Sequence, residues 1–145
     1  MGKRLGYACI NMTLAEEGVS CNRTMIKKTF QARGLPYASE IILKNLKGLK
    51  RIVQWNNDNG IKVYRMSSSM FPWMSHYEFS DLPDYKEISM RLSEIGKLAM
   101  DNDQRLSFHP GQFCVLASPS EKVVLNAINE LDKSAEIMDL MGLPK

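Results

Sequence analysis

Three times along the chain, a short strand-like run is followed by a longer segment with helical periodicity. The first run is RLGYA at residues 4–8, the second IKVYRM at 61–66 and the third RLSF at 105–108. After the first, residues 9–36 are irregular: Asn22-Arg23-Thr24 reads as the cap of a short helix that Gly34-Leu35-Pro36 breaks. Ile42, Leu46, Leu49 and Val53 then recur at helical spacing, and Asn59-Gly60 supplies the stop. After the second run comes a loop, SSSMFPWMSHYEFSDL at 67–82, then a helix over 85–100 with Ile88, Leu92, Ile95 and Ala99 on one face. After the third, Ser118-Pro119-Ser120-Glu121 has the form of a capping box with proline at the first helical position. Val124, Ile128, Leu131, Ala135 and Met138 line that helix, and Gly142 ends it. Strands alternating with long helices predict an α/β fold, its strands parallel through right-handed crossovers. No GxGxxG follows the first strand, which weighs against a dinucleotide-binding fold.

Composition sets the outer bounds. The 145 residues are enough for a single domain, 1–145, and 44% apolar with 24% charged residues is ordinary for a globular protein. No apolar run reaches the ~20 residues of a membrane span, and the broken run at the N-terminus is too short for a signal peptide. Cys9, Cys21 and Cys114 are odd in number and lack CxxC spacing, so they are expected as reduced thiols in a cytoplasmic protein. The formal net charge of +3 permits nucleic-acid binding without demanding it.

In parallel α/β proteins the working residues sit in the loops that leave the C-terminal ends of strands. Asn11, His76 and His109 all fall in such loops, and these are the only two histidines of the chain. Two neutral imidazoles at neighbouring strand ends can share a metal ion, which would suit phosphodiester chemistry. They can equally be loop histidines bonded to nearby carbonyls, and spacing leaves both readings open. Glu78, Asp81 and Asp84 share the loop of His76 but have no evident partners. The segment Met70-Phe71-Pro72-Trp73-Met74 reads either as a lid packed on the sheet end or as a stacking surface for bases. Gln112 and Phe113 follow a Pro110-Gly111 turn, so Phe113 either folds into the core or projects as a wedge for distorted duplex. Lys44, Lys47, Lys50 and Arg51 form a basic helical patch, read as a solvated face.

Taken together, several stretches resemble the UV damage endonucleases. They are LGYACINMTL at 5–14, NRT at 22–24, WNNDNGIKVYRMSSSMFPWMSH at 55–76, LSFHPGQF at 106–113 and SPSEKVVLNAINELDKSAEIMDLMG at 118–142. The resemblance implies a (β/α)8 TIM barrel of the endonuclease IV type. It implies an enzyme that nicks UV-damaged double-stranded DNA on the 5′ side of pyrimidine dimers and other photoproducts, using a cluster of divalent metals, typically manganese. It assigns His76 and His109 as metal ligands and catalytic residues. It assigns Tyr7 and Asn11 to the lesion-binding cleft, and Gln112 and Phe113 to the pair that fills the gap left by extruded nucleotides. The family commonly carries tyrosine where this chain has Phe113, which keeps stacking but loses a hydroxyl.

A complete barrel takes roughly 250 residues, so the chain is expected to supply the first three strand–helix units of one. The family's remaining ligands, several carboxylates and histidines with a modified lysine, have no counterpart in these residues. The expectation is therefore a truncated enzyme, with the rest of the barrel coming from elsewhere, such as a second chain. A non-catalytic DNA-damage-binding fragment and a sugar isomerase-like metal-dependent barrel are the alternatives. The wedge after HPG argues against the latter.

Overall fold

The structure, a computed structural model, describes residues 2–111 and 114–144. Three parallel strands, β1 (Gly6–Ala8), β2 (Val63–Met66) and β3 (Arg105–Phe108), pair in the order β1-β2-β3. The connections carry α1 (Met12–Ala15), α2 (Lys27–Asp58), α3 (Tyr85–Met100) and α4 (Glu121–Leu140). The alternation expected from the sequence is thus the observed one, and the sheet is parallel throughout its described length.

Register explains the two faces of the sheet. Tyr7, Tyr64 and Leu106 lie abreast, and Met66 pairs with Phe108. This row faces the helices, and Tyr64 and Met66 are wholly buried beneath α2 and α3. Gly6, Ala8, Arg65 and Arg105 on the alternate positions are exposed. In a closed barrel that second face would be the interior. Both outer strands keep an open edge among the described residues, as expected of three units of a larger barrel.

Several local readings need correction. The second helix begins at Lys27, well before the periodic run that starts at Ile42, with Ile26 as its cap instead of Asn22-Arg23-Thr24. The break at Gly34 is real: its φ of 64° and ψ of −156° interrupt the helix, which then resumes. Pro36 stands in the resumed helix's first turn, where a missing N–H costs nothing. Residues 67–82 are not a plain loop but contain 3₁₀ turns at Ser68–Met70, Met74–His76 and Phe79–Asp81. The last helix starts at Glu121 with Ser120 as its cap, because the Ser118 hydroxyl accepts from Ser120 N–H at 3.1 Å and closes a local turn. Its buried positions are Ala127, Lys133 and Ile137, whereas Ile128 is 43% exposed. The apolar stripe read from the sequence therefore points partly away from α3, toward the side where a further barrel unit would lie.

Two close approaches lock the layers. A Cβ on Gly48 would sit 1.8 Å from the Ser20 carbonyl oxygen, and one on Gly96 would sit 1.9 Å from that of Met141. Glycine lets the backbones touch there. Beside the first approach, buried Asn45 clamps two loops at once. Its Oδ1 accepts from Arg23 N–H, and its Nδ2 donates to the carbonyls of Arg23 and Met70, all at 2.9 Å.

Asn45→Ala strands one donor and two acceptors in the interior. It is expected to lower stability by about 2–4 kcal/mol, seen as a lower urea midpoint at unchanged m. A loss below about 0.5 kcal/mol would contradict the clamp. A second expectation concerns pH. Burial pushes the Tyr64 and Tyr77 phenols well above the ordinary value of 10.0. Above about pH 10 the unfolded chain loses those protons and the folded chain keeps them, so stability is full below that pH and falls as pH rises past it. Urea midpoints compared at about pH 8 and about pH 10.5 should show the fall, shallower in Tyr64→Phe; equal midpoints would refute it.

Candidate functional site

The two histidines leave the sheet at the same end. His109 continues β3: its N–H donates to the Met66 carbonyl at 2.9 Å, one more rung of the β2–β3 ladder. Its side chain is exposed, and Nδ1 lies 3.0 Å from the Pro110 carbonyl. A carbonyl only accepts, so this contact puts the proton on Nδ1 and leaves the lone pair on Nε2. That is the tautomer a metal-binding histidine needs.

His76 ends the 3₁₀ turn Met74–His76 in the segment after β2, and it too is exposed. Its N–H donates to the Trp73 carbonyl at 2.9 Å, and its ring stands edge-on to the Trp73 indole at 5.4 Å. Trp73 is held in turn: its indole N–H donates to the Met25 carbonyl at 2.9 Å, and Phe30 stacks on it at 6.1 Å. Trp73 also adopts a left-handed backbone, φ 56° and ψ 29°, uncommon for a bulky residue. Such strain persists only where the surroundings enforce it, and here it turns the chain that presents His76. Trp73 and Phe30 as braces escaped the sequence reading; the WMSH spacing alone holds no sign of the left-handed turn.

The aromatic loop is mostly interior. Met70, Phe71, Met74, Tyr77 and Phe79 are all buried, Phe71 and Phe79 against each other at 4.9 Å. A base-stacking role for Met70, Phe71 or Met74 is therefore excluded by burial, and the packing reading holds for them. Of the acidic residues in this segment, Glu78 pairs with Lys133 at 2.8 Å. Asp84 stands at the start of α3, and Asp81 is exposed. Among the described residues no group of three or more His, Cys, Asp or Glu converges. Imidazole nitrogens are donors of the kind a divalent cation takes, and for His109 the Nδ1 contact leaves Nε2 available.

Tyr7 and Asn11 stand side by side in a polar relay beneath the sheet. Asn11 caps α1 through Leu14 N–H at 2.9 Å, and its Nδ2 donates to the Tyr7 hydroxyl at 2.8 Å. That hydroxyl donates to Asn56 Oδ1 at 2.5 Å, and Asn56 donates to Gln104 at 3.0 Å. Asn11 is only 5% exposed, its polar atoms taken up by these bonds, and it borders a small cavity with Cys9, Ala15 and Ser20. Burial holds the Tyr7 phenol above its usual range, which keeps it a neutral donor. Gln112 and Phe113 lie outside the described residues.

The basic patch is the solvated face expected, with Lys44 paired to Glu40 and Lys50 to Glu94. Cys9, Cys21 and Cys114 are free thiols, and burial pushes each upward. Unexpected cations lie on the open sheet face: Arg65 and Arg105 are exposed there, Arg65 donating to the Phe108 carbonyl at 3.4 Å. Period-two alternation in VYRM carried that signal, since Arg65 falls between Tyr64 and Met66. No helix among the described residues is long and apolar enough to cross a membrane.

Comparison with known proteins matches this arrangement. The UV-endonuclease UvdE family matches residues 3–145. The UV-damage endonuclease of Schizosaccharomyces pombe is 39% identical over 142 residues, covering 97% of this chain and 23% of that protein. The UV DNA damage endonuclease of Clostridium perfringens is 32% identical over 136 residues, 94% of this chain and 31% of the relative. A solved crystal structure of SacUVDE superposes with a TM-score of 0.85 at 32% identity, covering 98% of this chain and 47% of the other. The chain thus spans less than half the length of each of these. From the first strand through the last helix, it belongs to the UV-endonuclease UvdE family.

Proposed function

We propose that the chain is the part of a DNA repair endonuclease that carries two metal-ligating histidines and the turn that probes damaged duplex. The observation that carries this is that His109 follows the end of β3 and His76 lies in the segment after the neighbouring strand β2, with His109 Nδ1 on a carbonyl and Nε2 free of that contact. The substrate of this reading is UV-damaged double-stranded DNA, cut on the 5′ side of photolesions. The names of the relatives support that substrate class.

His76 and His109 would hold a divalent cation, manganese in this reading, through neutral imidazole nitrogens. When bound, such an ion lowers the pKa of water and neutralises charge on phosphodiester oxygens. The chain's own contribution is to orient the two rings, to keep the Tyr7 phenol a neutral hydrogen-bond donor, and to set Arg65 on the inner face beside the end of β3. There it would draw phosphates toward the site. Gln112 and Phe113 would occupy the space of extruded nucleotides. Two ligands are too few for a multi-metal site, so the remaining ligands must come from further strand–helix units, in the same polypeptide or in a second chain. The open edge of β3 beside the exposed side of α4 is where they would join.

With manganese and UV-irradiated plasmid, these 145 residues alone should give no nicking above the unirradiated control. A completed barrel, with the later units supplied from a relative, should nick the irradiated plasmid. His109→Ala in that protein should lower the rate at least about 100-fold at limiting manganese, with partial recovery at excess. Gln112→Ala should instead narrow the difference between irradiated and intact plasmid while leaving the manganese dependence unchanged. Robust nicking by the short chain, or an unchanged rate in His109→Ala, would overturn the assignment.

A further inference from the structure

One face of α4 reaches both histidine loops. Asn129, Glu130 and Lys133 lie within a single helical turn and so on one side of the helix. Asn129 Nδ2 donates to the Ser75 carbonyl at 2.9 Å, one residue before His76. Lys133 Nζ donates to Glu78 Oε2 at 2.8 Å, two residues after it. Glu130 Oε1 accepts from Gly111 N–H at 3.2 Å, two residues after His109. The first two contacts bracket His76 and the third grips the HPG turn.

We infer that Asn129, Glu130 and Lys133 are positioning residues that hold the two histidine loops in fixed relation from a common helix. The inference rests on reading His76 and His109 as partners at one site. Three features separate this face from an ordinary solvated one. Lys133 keeps only 8% of its side chain exposed, although exposed lysines are the norm, and its ammonium lies 5.0 Å over the Phe79 ring. A buried ammonium needs a carboxylate, and Glu78 supplies it from the His76 segment. At the other loop, the Glu130 carboxylate lies directly against Gly111, 2.9 Å from where a Cβ would stand and within hydrogen-bond reach of its N–H. Among the described residues the hydrogen bonds of the three side chains go to the loops and not to an imidazole, so each acts through a loop.

The inference is tested by amide hydrogen exchange, and by manganese broadening of the imidazole NMR signals, of which this chain has two sets. Glu130→Ala should speed exchange of Gly111 N–H about tenfold, and Glu130→Gln, which keeps an acceptor oxygen, should restore it. Asn129→Ala with Lys133→Met should speed exchange of His76 N–H similarly, with little effect at Gly111. In the wild-type chain both imidazoles should broaden over the same manganese range; with Glu130→Ala and Lys133→Met together, the two ranges should separate. Unchanged exchange in the variants, or joint broadening that survives the double change, overturns the inference. Faster exchange with no imidazole broadening in any protein supports the clamp and contradicts the metal reading beneath it.

Discussion

Parallel pairing is the constraint on which the rest depends. A parallel strand cannot follow its neighbour by a tight turn, so each connection must cross over and return to the same starting edge. All three outgoing segments therefore emerge at one end of the sheet. Residues distant in the chain, His76 and His109, come to neighbouring loops without any contact between them being required. Burial then fixes the strands: Tyr64 and Met66 lie at 0% exposure between sheet and helices, and their register partners follow.

The loops at that end are not left to solvent. The segment after β2 is anchored by Phe71, Met74, Tyr77 and Phe79 in the core, and only then exposes His76. The relay from Asn11 through Tyr7 and Asn56 to Gln104 ties α1, β1, α2 and the entry to β3 together. Buried polar groups of this kind are costly unless all are matched, so the relay specifies one arrangement of its elements. A site carried on loops gains its precision from such supports.

Much of this architecture was legible before the structure. Helix 85–100 and strand 105–108 stand where their periodicity put them, because Ile88, Leu92, Ile95 and Ala99 all face the core. Resemblance, not periodicity, carried the family. What was hidden depends on competition between local bonds. Ser118 turns its hydroxyl to Ser120 instead of capping the helix, and composition cannot tell these apart. Nothing near Lys133 in the sequence marks it as buried, because Glu78 and Phe79, some 55 residues earlier, are what lie against it. Ile128 reads as core because the pattern does not record that α4 is covered on one side only. The buried post of Asn45 likewise depends on partners far along the chain, Arg23 and Met70.

The central claim is that His76 and His109 together hold a divalent cation. Anomalous diffraction at the manganese absorption edge, from crystals of this protein grown with manganese, locates the ion directly. The account predicts a peak within bonding distance of both imidazoles, on Nε2 of His109. A peak bound to neither ring, or rings too far apart to share one ion, would contradict it.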